Sequence, residues 1–129
     1  NVEAQQHDKS SFLHWVKRML AVRREFPVFG TGSFEVLHSE NPSVLAYLRC
    51  SREEDDDTTV LCVHNLSQFP QPCELMLGNL AGKLPIELTG RVPFPEIGEL
   101  PYFITLPPYG FYWFTLVDAV EEPSGRIEP

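Results

Sequence analysis

The residues best suited to chemistry lie in LPPYGFYWFTL (106–116), where Tyr109 precedes an unbroken run of Phe111, Tyr112, Trp113 and Phe114. Aromatic faces stack on sugar rings, and the same side chains fill β-cores. Tyr109, which stands before the strand that these residues predict, is the candidate sugar platform. A second pair is Cys62 and His64, which strand alternation places on one face. A thiol beside an imidazole can act as a nucleophile with its base. Neighbouring same-face positions on one strand more often only pack. The acids in REEDDD (52–57) raise the question of a cation. Their spacing fits no EF-hand loop, and adjacent like charges prefer to stay hydrated and apart, so a mobile hairpin tip is the expectation. His7, His14, His38 and His64 are scattered and form neither HExxH nor a zinc-spaced cluster. Ser33, in GTGSF, lacks the GxSxG of a nucleophile elbow, and GTG leads into a strand rather than a helix N-terminus. Asn65-Leu66-Ser67 has the form of a glycosylation sequon, which matters only in a secreted protein. No complete catalytic constellation is present. The expectation is therefore a chain with no catalytic, metal-binding or cofactor-binding residue of its own.

The elements that would position these residues change character at about residue 30. DKSSFLHWVKRMLAVRREFP sets Phe12, Trp15, Val16, Met19, Leu20 and Val22 at three- and four-residue spacing, the pattern of an amphipathic helix. Asp8, Ser10 and Ser11 are candidate N-caps, basic residues crowd the last turns, and Pro27 ends the helix. One helix cannot bury so wide an apolar stripe alone and needs a sheet or a partner. Beyond FGTG the pattern becomes short strands: 33–37, 44–49, 58–66, 73–77, 85–89, 102–106 and 110–116. Asn41-Pro42, Pro70 to Pro72, Gly78-Asn79, Gly82, Gly90 and Pro93-Phe94-Pro95 supply the turns. Strands so short and so regularly interrupted predict a mainly β fold, an antiparallel sandwich or barrel of about seven to eight strands, Greek-key-like and preceded by one amphipathic α-helix. The connections are too short for βαβ crossovers. On the last strand Tyr112, Phe114 and Leu116 share one face, assigned to the core. Phe111 and Trp113 take the other face, beneath the helix or at a seam with something else. The expected division is a helix and linker over 1–30, a β-domain over 31–117 and a disordered polar tail over 118–129.

Composition narrows the partners. The formal net charge of -8 opposes binding to nucleic acid or to an anionic membrane surface, both of which need clustered Lys and Arg. No apolar run is long enough for a membrane helix, and the polar N-terminus, without an initiator Met, suggests a fragment or a processed chain. Cys50, Cys62 and Cys73 form no CxxC and read as free thiols, so the expected compartment is the cytoplasm.

Several of these stretches, taken together, resemble a known family. NVEAQ (1–5), the helix through SFLHWVKRMLAVRREFPVFGTGSF (11–34) and NPSVLAYLR (41–49) look like the end of an α-amylase-superfamily (glycoside hydrolase family 13-like) enzyme. In these enzymes a last barrel helix with an LxxRxxxPxFxxG pattern, here Leu20, Arg23, Pro27, Phe29 and Gly32, leads into a C-terminal β-domain. VLCVHNLSQFPQP (60–72) and ELTGRVPFPEIGELPYFITLPPYGFYWFTL (87–116) are more particular, and resemble the C-terminal region of the trehalose synthases, maltose α-D-glucosyltransferases that interconvert maltose and trehalose.

The resemblance implies that catalysis belongs to a (β/α)8 barrel upstream of Asn1, since no position here matches the family's catalytic motifs. This chain would be the last barrel helix plus a non-catalytic β-domain that braces the barrel. Phe12, Trp15, Met19, Phe111 and Trp113 are the candidate interdomain contacts, and Phe12, Trp15, Met19 and Leu20 would pack on the sheet or line a partner surface. The implied partners are the catalytic barrel, further copies of the parent in a homo-oligomer, and a maltokinase. The alternative is a carbohydrate-binding module for α-glucans, maltose or trehalose.

Overall fold

The computed structural model describes the backbone of residues 2–119 and the side chains of residues 13–119. The expected tail over 118–129 lies outside the described residues from 120 onward, as do the side chains of His7 and Phe12, while Asp118 still pairs with Lys83 in the sheet.

Helix α1 (Val2–Glu25) is followed by the short α2 (Val28–Thr31). The helix begins earlier than its candidate caps allow, because Asp8, Ser10 and Ser11 lie within α1 rather than before it. Capping preferences were outweighed by local propensity: Glu3, Ala4, Gln5 and Gln6 are strong helix formers. At the other end Arg23 and Arg24 occupy the last turn, and the helix stops two residues short of Pro27.

Eight strands follow: β1 (Glu35–Leu37), β2 (Val44–Cys50), β3 (Thr59–Asn65), β4 (Gln71–Leu75), β5 (Lys83–Glu87), β6 (Val92–Pro93), β7 (Tyr102–Leu106) and β8 (Phe111–Asp118). All seven expected strands are present, and β6 adds a short edge. Two antiparallel sheets result, one in the order β1-β2-β3-β8-β5-β6 and the other a β4-β7 pair. The chain changes sheet after β3, β4, β6 and β7, so that β8 returns to lie between β3 and β5. The expected β-sandwich is therefore the fold, with the exposed acidic loop 52–57 joining β2 to β3.

Two hydrophobic layers hold it. Between the sheets, Phe114, Leu61, Leu75, Leu106 and Ile97 are wholly buried, and Leu116 is nearly so. Tyr112 is partly buried against this layer, its ring 5.2 Å from that of Phe94. The second layer lies on the opposite face of the larger sheet, where Val22, Val28 and Phe29 from the helices cover Val60, Cys62 and Leu88. This second cover explains why Val60, Leu61, Cys62 and Val63 are all fully buried in succession. A strand with a layer on each side shows no alternation.

Candidate functional site

The tightest junction between helix and sheet is set by the residues around Gly32. Pro27 starts α2, and Phe29 is buried with its ring 4.7 Å from that of Trp113. The Arg23 guanidinium lies 5.5 Å from the centre of the Phe29 ring. A Cβ on Gly32 would stand 2.7 Å from the Cys50 carbonyl oxygen and 2.5 Å from Val28, so only glycine lets the chain pass from helix to sheet here. The Arg, Pro, Phe and Gly of the family-like pattern are thus the parts of one packed corner.

Above this corner the structure brings Trp15, Tyr109, Phe111 and Trp113 together around a groove of about 440 Å³, with Glu87 and Thr89 on its polar side. The Trp15 ring meets Phe111 edge-on at 5.7 Å, and Phe111 lies 5.6 Å from Trp113. Trp113 therefore lies beneath the helices. Burial there leaves its indole N–H without a hydrogen-bond partner among the described residues. Tyr109 is 67% exposed, with a left-handed φ of 52°. Met19 is buried and takes no part in the groove, while Leu13 and Leu20 are exposed on α1.

The loop carrying Tyr109 is held by Asn65, which the sequence offers only as a sequon. This side chain is 2% exposed. Its amide donates to the carbonyls of Phe69 at 2.7 Å and Pro107 at 2.9 Å, and its oxygen accepts from the Ser67 backbone N–H at 2.9 Å. The Tyr109 N–H donates in turn to the Ser67 carbonyl at 2.9 Å. A glycan has no room to attach to this buried amide. The Glu87 carboxylate is likewise occupied, accepting from the Thr89 hydroxyl and from the backbone N–H groups of Thr89 at 2.6 Å and Gly90 at 3.1 Å.

The Cys62–His64 pair is built for packing. Cys62 is fully buried, and burial pushes its thiol up to about 11, far from a thiolate nucleophile. The His64 ring lies flat between Tyr47 at 5.7 Å and Phe111 at 5.4 Å, with Nε2 3.3 Å from the Tyr47 hydroxyl. Burial holds the imidazole below its ordinary value and drives the Tyr47 hydroxyl up to about 12. No group of three or more metal-ligating side chains converges among the described residues, and no helix there is long and apolar enough to cross a membrane.

The fold and groove define a class: an antiparallel β-sandwich backed by a helix, with an aromatic junction between the two. The chain belongs to the maltogenic amylase C-terminal domain family, whose model matches residues 34–113. It is 53% identical over 126 residues to a trehalose synthase of Pimelobacter sp. (strain R48), a match covering 98% of this chain and 22% of that protein. The trehalose synthase/amylase TreS of Mycobacterium tuberculosis (strain ATCC 25618 / H37Rv) is 55% identical over 116 residues, or 90% of this chain and 19% of that protein. The chain thus spans about a fifth of the length of these relatives. The fold also matches a GH27 β-L-arabinopyranosidase of Geobacillus stearothermophilus, solved with arabinose, with a TM-score of 0.56 at 13% identity over 70% of this chain and 21% of that one.

Proposed function

We propose that this chain is the C-terminal β-domain, with its lead-in helix, of a cytoplasmic trehalose synthase-like enzyme, and that it braces a catalytic barrel without taking part in the interconversion of maltose and trehalose. One observation carries the reading: α1 and α2 lie outside the family match at 34–113, yet they form one hydrophobic layer with the sheet. A helix from the preceding part of the enzyme, fused into the core of the next domain, fixes the two bodies together. The greater length of these trehalose synthase relatives supports the same reading. Association of the parent with further copies, or with a maltokinase, is compatible with it. The test is deletion of residues 31–119 from the longer natural product. Loss of thermal stability and of maltose-to-trehalose conversion is expected, and unchanged stability and turnover would overturn the reading.

A second reading is favoured by the groove. Tyr109 stands exposed beside Glu87 and Thr89, an arrangement that suits a saccharide of the α-glucan kind. Titration with maltose, trehalose and glycogen separates the two. Saturable binding abolished by Tyr109→Ala, with the melting curve unchanged, would establish a sugar module. Trp113→Ala is unsuited to this test because Trp113 also supports Phe29.

A further inference from the structure

The outer face of the larger sheet carries a row of rings at the margin of the layer that α1 and α2 cover, where Tyr47, His64 and Phe111 stay half-buried. Phe34 stacks on Tyr47 at 4.6 Å with 27° between the planes, Tyr47 on His64 at 5.7 Å and 11°, and His64 on Phe111 at 5.4 Å and 17°. The row crosses β2, β3 and β8 and ends at Trp15 of α1, which meets Phe111 edge-on. Val36 and Leu45 flank it and are exposed, as are Phe34 at 55% and Trp15 at 41%. A contiguous apolar strip of this kind marks a contact surface.

The geometry of the stack tells what sort of contact. A sugar ring needs a free aromatic face. Here the faces of the three inner rings are turned towards one another, and what remains outward is edges and the aliphatic Val36 and Leu45. Edges and methyl groups interdigitate with protein side chains. The end of the row is also held in place, since Arg49 donates to the carbonyls of Ser33 at 2.8 Å and Gly32 at 3.1 Å and lies over the Phe34 ring. Rings ordered before contact lose little conformational freedom on docking.

The identity of the occupant follows from continuity. The strip shares its face of the sheet with α1, and α1 lies outside the matched β-domain but inside the match to relatives of which this chain covers 22%. A body continuous with α1 is the nearest covalent neighbour of that face. We infer that the Phe34–Tyr47–His64–Phe111 row, with Val36 and Leu45, is the docking seam for the domain that precedes α1 in the longer enzyme. The inference rests on the bracing reading and adds to it a second attachment, beyond the helix.

The two attachments can be tested separately with single cysteines and maleimide labelling, read site by site by mass spectrometry. Leu45→Cys and Phe34→Cys probe the seam, Leu20→Cys probes α1, and Met76→Cys at the end of β4 is the control on the smaller sheet. Each is measured in the 129-residue chain and in the longer natural product. The expected result is labelling of Leu45→Cys and Phe34→Cys slowed by at least about tenfold in the longer product, with Met76→Cys unchanged. Equal seam rates in both proteins, with Leu20→Cys protected, would overturn the seam and leave the bracing reading intact. Equal rates at every site would overturn both. Seam rates already slow in the 129-residue chain, together with a dimeric mass or a dependence on added maltose or glycogen, would assign the strip to a second copy or to a saccharide and overturn the inference.

Discussion

Asn65 shows how much one polar side chain can hold. From a side chain that is 2% exposed, it joins the loop after β3 to the loop before β8 through two short amide hydrogen bonds and two accepted from Ser67. Removing it gives up these hydrogen bonds, at about 0.5–1.5 kcal/mol each. Asn65→Ala should lower the urea midpoint at unchanged slope and free the Tyr109 loop, and an unchanged midpoint would remove Asn65 from the account. The thiols give a second residue-scale outcome. Cys62 and Cys73 are buried and shifted upward, whereas Cys50 is partly accessible. Ellman's reagent on the folded chain should modify Cys50 first, with Cys62 and Cys73 reacting only on unfolding. His64 gives a third. Because burial depresses its folded value, the unfolded chain takes up the proton first as pH falls. Its share of stability is complete above the unfolded value of about 6.5 and is lost as pH drops through and below it. Melting curves from about pH 7.5 to about pH 5 should fall less steeply for His64→Phe, which keeps the ring stack, than for the parent. Equal slopes would locate the dependence elsewhere.

At the scale of elements, the helix–sheet corner decides whether α1 stays attached. Phe29 is buried between Arg23 and Trp113. Phe29→Ala should cost about 3–5 kcal/mol. The loss should appear as early melting of the helical signal at 222 nm, with the sheet signal surviving. Coincident loss of both would mean that helix and sheet form one cooperative unit even without this ring. The strands were legible in the sequence because Pro and Gly punctuate them and because residues such as Val44, Ala46 and Leu48 alternate inward. The start of α1 was misplaced because Asp8, Ser10 and Ser11 have the chemistry of caps, while the run from Glu3 to Gln6 favours helix without any motif to announce it.

For the whole molecule, the layer between the sheets carries the fold. Phe114 is wholly buried at its centre, 4.8 Å from Phe94, and Phe114→Ala should cost about 3–5 kcal/mol. That is enough to leave a domain of ordinary stability only marginally folded, which a lower melting temperature and enhanced dye binding would report. A variant that melts like the parent would show that Phe114 contributes less than its burial implies. The groove was partly legible: Trp15, Tyr109, Phe111 and Trp113 stood out by type, and the structure brings them to one place. Glu87, Thr89 and Tyr47 did not stand out, and His64 stood out only beside Cys62 rather than beside Tyr47 and Phe111, because cross-strand register sets those neighbours. Leu45 faces His64 and His64 faces Phe111 only once β2, β3 and β8 are aligned, and nothing local in the sequence announces that alignment.

The double burial of β3 bears on how such domains can be moved between proteins. The family match begins at residue 34, and a graft cut there would carry the sandwich without the helices. Val60, Cys62 and Leu88 would then meet water, and Trp113 would lose the Phe29 ring that lies against it. The portable unit therefore begins before the homologous one. An engineer who transplants this β-domain, or a recombination event that reshuffles it, has to bring the end of the preceding domain along or redesign one face of its central strand.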